Sequence, residues 1–284
     1  MTRFRPAFSI SILIPVLCLS VFGSDHEKSS RDLTSSQDSV LAEQDTFRIL
    51  PNMAFTVGEK LDYDITYGPI VAGSATISTT SYEFYNGRKC YKVEFRMRSA
   101  RFFDVFFKVR DYYSSLIDTA GLFPWRFEQH QKEGGYIKDF EAWFDQRNHT
   151  ARTSEGGPYD IPPYTQDAVS TFFYARTLNY DTMKIGQKVH FTNFYENKVY
   201  PLDVKYLGQQ NVETKAGIFH CQIIEPIIVE GGLFKNTGRI MLWITDDSLE
   251  VPVKVQTQVA IGSVDAELVD YTGLAGPLTA KIGR

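Results

Sequence analysis

Carboxylates stand in same-face pairs at two places in this 284-residue chain. Asp62 with Asp64, and Asp139 with Glu141, are spaced so that both side chains of a pair would share one face of a strand. Two such groups facing each other across a cleft could cleave a glycosidic bond. Both pairs alternate with apolar residues, however. That places them on the wet face of amphipathic strands, where solvation is reason enough for them. Asp246-Asp247, ahead of Ser248, reads as turn chemistry. Asp167 could act as an acid, but it also fits the N-cap of a helix. The five histidines, His26, His130, His149, His190 and His220, are scattered. His220 has Cys221 beside it, but neighbours on a strand point to opposite faces and do not easily share a metal ion. The chain has no G-x-S-x-G elbow, H-E-x-x-H, P-loop or G-x-G-x-x-G. No catalytic residue, metal or cofactor is therefore assigned.

The remaining candidates bind rather than react. Arg101-Phe-Phe-Asp-Val-Phe-Phe-Lys108 is too aromatic for a polar loop. Phe102, Phe103, Phe106 and Phe107 could form an apolar lip against a lipid-like ligand or a membrane surface, or fold back over the core. Cys90 and Cys221 could form a disulfide in an exported protein, or be two separate buried thiols. A near-neutral, slightly acidic balance of 30 Lys+Arg against 34 Asp+Glu excludes the basic footprint that nucleic acid requires.

These side chains need elements to position them. Tyr164–Arg176 carries a helix signal, expected to span about 167–178. Pro162-Pro163 sets an extended entry and Asp167 caps, while Val169, Phe172 and Phe173 make an apolar face that would fill the interior and border ligand space. Most of the rest alternates as strands do: Leu61, Tyr63, Ile65 and Tyr67 against Asp62, Asp64 and Thr66, for example. The chain also matches itself. Val57-Gly-Glu-Lys-Leu-Asp-Tyr63 aligns with Ile185-Gly-Gln-Lys-Val-His-Phe191 at an offset of 128, as do Gly134 with Gly262 and Asp118 with Asp246. Phe106-Phe107-Lys108 aligns with Leu233-Phe234-Lys235. Two six-strand meanders, 57–144 and 185–271, are expected, joined by 145–184.

Ahead of them, a basic start, an apolar run over Ala7–Phe22 and Gly23 before polar residues have the layout of a signal peptide over 1–23. Residues 24–47 are too polar to bury a core and read as a disordered tether; 274–284 read as a flexible tail.

Several of these segments together resemble the bacterial domain of unknown function 3108 family. They are Val57-Gly-Glu-Lys-Leu-Asp-Tyr-Asp-Ile65, Ile70-Val-Ala-Gly-Ser-Ala75, Asp118 to Pro124, Gln166-Asp-Ala-Val-Ser170, Ala216-Gly-Ile-Phe-His-Cys221, and Leu242-Trp-Ile-Thr-Asp246 to Val251-Pro-Val253. The likeness spans roughly 55–271. It implies exported, β-rich envelope proteins without an assigned catalytic residue, similar in architecture to curved-sheet carriers of lipids or lipoproteins.

The sequence thus predicts an all-β, mainly antiparallel domain over 48–273, a strongly curved sheet or open barrel with one helix between two similar halves. It predicts a non-enzymatic protein of the periplasm or outer-membrane periphery, with no transmembrane segment once the signal is removed. Its partner would be an apolar, lipid-like ligand, a lipidated protein or another envelope protein. The alternatives are an envelope hydrolase acting on glycan or peptide, and a scaffold that binds proteins through sheet edges.

Overall fold

The computed structural model describes residues 47–228 and 238–284. The expected signal peptide, nearly all of the tether, and Leu233-Phe234-Lys235 lie outside the described residues.

Alternation becomes a pleat at once. In β1 (Lys60–Tyr67), Leu61, Tyr63 and Ile65 are buried while Asp62, Asp64 and Thr66 face outward. The chain then runs through β2 (Ile70–Tyr85), β3 (Arg88–Ser99), β4 (Arg110–Asp118), β5 (Pro124–Glu133) and β6 (Tyr136–Asp145). A further hairpin, β7 (Thr150–Thr153) with β8 (Gly156–Asp160), follows before the one α-helix among the described residues, α1 (Ala168–Ala175). The second run is β9 (Lys188–Tyr195), β10 (Lys198–Thr214), β11 (Gly217–Ile228), β12 (Ile240–Thr245), β13 (Pro252–Gln258) and β14 (Ser263–Thr272), with β15 (Lys281–Gly283) last.

All the described strands join one antiparallel, curved sheet in the order β8-β7-β6-β5-β4-β3-β2-β1-β14-β13-β12-β11-β10-β9, and β15 pairs with β11. Each run of six is a meander, and they meet where β1 pairs with β14. The sheet does not close into a barrel. Between its outer strands the chain makes a parallel bridge from Gln166 to Asn193, with α1 just beyond.

α1 is shorter than the sequence predicts, because its ends are fixed by specific bonds. Asp167 Oδ1 accepts from the N–H groups of Val169 and Ser170, both at 2.7 Å, and Ser170 Oγ accepts from Asp167 N–H. The helix packs on β4 and β9. Val169 and Phe173 are buried in the main core among inward residues of both runs, including Leu61, Tyr113, Phe140, Phe219 and Leu268. Phe55 meets Phe173 edge-on at 4.8 Å between ring centroids.

Two expectations are corrected. Residues 274–284 are not a flexible tail: Leu274 and Leu278 pack on the core, Ala280 is buried and β15 hydrogen-bonds to β11. The possible Cys90–Cys221 disulfide is not formed. The two residues lie on β3 and β11, with five strands between them in the sheet, and each thiol is buried and free. Each Sγ instead donates weakly to a carbonyl two residues back, Arg88 O and Phe219 O, and burial pushes both thiols up to about 12.

The duplication remains a proposal. It is supported by turns that repeat one another bond for bond. Gly58 donates to Thr79 O and Thr79 to Glu59 O, just as Gly186 donates to Tyr206 O and Tyr206 to Gln187 O. A bulge follows at Thr79/Ser81 and at Tyr206/Gly208. Leu122 and Glu250, again 128 apart, are both left-handed, at φ 51° and 45°.

Candidate functional site

In a meander, the connections that follow odd-numbered strands gather at one rim. Cross-contacts show this for the described connections: Tyr67 Oη donates to Ile261 O, Gly134 lies under Phe107, Lys138 pairs with Glu196, and Thr153 Oγ1 donates to Asn197 Oδ1. This rim is apolar where it should be polar. Tyr67, Ile70, Val71, Tyr136, Ile137 and Ile261 are exposed around it. The β3–β4 connection turns three large apolar side chains to solvent, with Phe102 74%, Val105 82% and Phe106 75% exposed. Isolated exposed apolar residues are ordinary, whereas these nine of the described residues gather at one end as an apolar patch. Arg98, Arg101, Lys108 and Lys132 are exposed among them.

The projecting turn is held from inside. Phe103–Val105 forms one 3-10 turn, with Phe106 and Phe107 N–H donating to Phe103 O. Phe102 and Phe106, four apart, therefore lie on one side with rings 6.0 Å apart, while Phe103 and Phe107 are half-buried. Asp104 clamps the base of the turn. It accepts from Ser99 Oγ and from Arg110, whose guanidinium holds the carboxyl below its usual range. Gly134 makes room for the fold-back: at φ +57° it tolerates a left-handed backbone, and a Cβ there would sit 2.9 Å from the Phe107 ring. The two sequence readings of this stretch thus divide it. Phe102 and Phe106 form a lip, and Phe103 and Phe107 anchor it.

The other sequence candidates lie elsewhere. Val169 and Phe173 are core, and Phe172 is half-buried beside Phe173; none of them reaches the rim turn. Asp62 pairs with Lys60 and Thr76, Asp64 with Lys215, Glu141 with Arg126, and Asp139 with His130, so both carboxylate pairs spend themselves on the outer face. His190 is satisfied by Asp203, and His220 by Asn211 and Asp246. Among the described residues no three His, Cys, Asp or Glu side chains group as a metal site would require.

Two buried polar groupings escaped the sequence reading. Arg176, the last residue of the stretch with the helix signal, is the helix's C-cap and fully buried. Its guanidinium donates to both oxygens of buried Glu59 at 2.7 and 2.9 Å, and to the carbonyls of Ala54, Leu249 and Glu250. Asp111 and Glu133, buried inside near the rim, share a hydrogen bond; burial first, and the second carboxyl next, push Asp111 well above the carboxylate range. A residue two positions from Tyr113 on an inward face should have read as apolar, and only the exception Asp111 itself was visible as a signal.

Comparison with known proteins adds fold and family. A β-barrel-like protein of domain of unknown function DUF1849 from Brucella abortus is similar over 80% of this chain and 99% of its own, at TM-score 0.52 and 15% identity. A protein described as exported, with a YmcC-like fold, from Bacteroides fragilis covers 80% of this chain and 100% of its own at TM-score 0.37 and 13% identity. A protein described as a lipoprotein from Parabacteroides distasonis covers 81% and 100% at TM-score 0.36 and 8% identity. No curated protein matches. Among the described residues no helix is long and apolar enough to cross a membrane. The model of the family described as Protein of unknown function (DUF3108) matches residues 62–269, nearly the whole of the sheet just described, and the chain belongs to that family.

Proposed function

We propose that this chain is a non-enzymatic protein of the bacterial envelope that engages lipid through the rim carrying Phe102, Val105 and Phe106. The observation that carries this reading is the lip itself: two phenylalanines and a valine pushed into solvent by a turn whose base is clamped by Asp104 and Arg110. A fold stabilised only by its core would have no use for such a projection. The exposed Arg98, Arg101, Lys108 and Lys132 give the same rim the charge that anionic headgroups attract. The interior around α1 is packed with side chains, so the lipid contact is assigned to the rim and not to Val169 and Phe173.

The test is sedimentation of the folded protein with vesicles. Binding is expected to rise with the fraction of anionic lipid and to fall with salt. Transfer of a phenylalanine side chain out of water contributes roughly 1.5–3 kcal/mol when complete, so Phe102→Ala with Phe106→Ala should weaken binding by at least tenfold while leaving the melting temperature within a few degrees. Equal binding by the double variant would remove the rim from the proposal. Uptake of a monomeric lipid without vesicle binding would favour a carrier reading of the same residues.

A further inference from the structure

At the opposite end of the sheet, a cleft of about 670 Å³ opens between the β2–β3 turn and the β6–β7 turn. Its size lies within the range of about 300–1,000 Å³ usual for small-molecule sites. Its walls are aromatic and cationic together: Phe47, Tyr85, Trp125 and Trp143, with Arg88, Arg147 and Arg152. Much of this is preset. Arg88 is committed to Asp118, lies over the Phe47 ring at 4.8 Å, and so builds the wall. Trp125 is fixed by its indole N–H on Asp118 Oδ2 at 3.1 Å. Asp145 spends its oxygens on the backbone of Arg147 and Asn148 and on the Asn148 amide, which shapes the rim of the cleft.

What is left over faces the opening. Trp143 is half-buried on the outer face of β6, directly opposite Arg152 of β7. Cross-strand neighbours on one face lie roughly 4.5–5.5 Å apart at Cβ, so an indole face and a guanidinium are presented side by side. Arg152 is exposed and makes no ion pair among the described residues. Asn86, Asn148 and Thr150 interleave amides and a hydroxyl with the rings.

We infer that this cleft binds an acidic oligosaccharide. A pyranose ring has an apolar face and a polar edge, which matches an indole bordered by amides and a hydroxyl. A carboxylate on the ring supplies the partner that Arg152 lacks, in the geometry a guanidinium prefers. A plain lipid tail would leave the exposed Arg152 guanidinium unanswered, and a purely cationic ligand would be repelled. The site is separate from the lipid-binding rim, so either can fail alone.

The experiment uses intrinsic fluorescence. The chain has three tryptophans, and two of them line the cleft. In a Trp243→Phe background the emission reports on Trp125 and Trp143 alone. Titration with a uronic-acid trisaccharide is expected to change it saturably. The neutral trisaccharide of the same linkage should bind at least tenfold more weakly. Arg152→Gln should lose at least tenfold in affinity for the acidic sugar only, and Trp143→Ala should lose binding of both, with circular dichroism and melting temperature of each variant checked against the parent. No saturable change with the uronate at millimolar concentration overturns the inference. So does equal affinity for the neutral sugar, or an Arg152→Gln protein that is folded and binds as before.

Discussion

Arg176 shows what a single residue can hide. A buried guanidinium without partners is prohibitive, yet this one has a bidentate carboxylate and three carbonyls. Removing one member leaves the other charged and dry. Arg176→Met should therefore cost roughly 3–5 kcal/mol, read as a lower urea midpoint. Adding Glu59→Gln to it should recover part of that loss, which a purely steric defect would not allow. Spacing alone could not reveal this pair, because a residue 117 positions away completes it. Asp167 was easier. Its N-cap role follows from local chemistry that a sequence displays: a short polar side chain before an apolar helical face. What the sequence did not show is that Ser115 of β4 donates to its second oxygen at 2.6 Å. Burial, resisted by Ser115 and the helix N–H groups, still lifts the Asp167 carboxyl to about 6.

At the scale of elements, strands and turns were legible wherever one face is wet and the other dry. β1 through β6 and β9 through β14 lie close to their expected positions for that reason. The β7–β8 hairpin was missed, since four- and five-residue strands are too short for alternation to register. α1 was over-extended because its apolar spacing runs on past Ala175 into a turn closed by Thr177 N–H on Tyr174 O. The lip was visible as an aromatic excess, but which of its four phenylalanines project depends on a 3-10 turn that composition does not encode. The helix carries its own test. Phe173 is buried against Phe55, so Phe173→Ala should cost about 3–5 kcal/mol, or roughly 6–20 °C in melting temperature for a protein this large. Phe172→Ala should cost much less, because Phe172 is only half-buried.

Taken whole, the molecule buries acids in a way that sets its response to pH. Glu250 is raised to about 9, first by burial and then by Asp181, Asp246 and Asp247; Asp167 stands at about 6 and Asp111 is also raised. Each of these binds its proton more tightly in the folded chain than in the unfolded one, where Asp and Glu titrate near 3.8 and 4.5. Stability therefore falls as pH climbs from about 4 to 6 for Asp167, and from about 4.5 to 9 for Glu250. On the acid side, Asp118 and Asp203 are held low against the upward push of burial, by Arg88 and by Lys188 with His190. Their contribution is present above 3.8 and is lost as pH drops through their folded values. The melting temperature should thus be higher at pH 5 than at pH 8. Asp111→Asn, which keeps an acceptor for Lys132 N–H and a donor for Glu133, should raise it at pH 8 and change it little at pH 5. A profile that climbs from pH 5 to 8 would falsify the assignment of raised values to these acids.

The seam between β1 and β14 ties Lys60 to Thr272, more than 200 residues apart. A ribosome delivers these strands in order, so β1 emerges early and its second neighbour arrives almost last. Throughout that interval a strand with the buried residues Leu61, Tyr63 and Ile65 offers an open edge to whatever is nearby. The centre of the finished sheet is consequently among its last joints to be made, ahead only of β15 on β11, and a chain halted before residue 263 would be expected to stick to its own copies instead of folding.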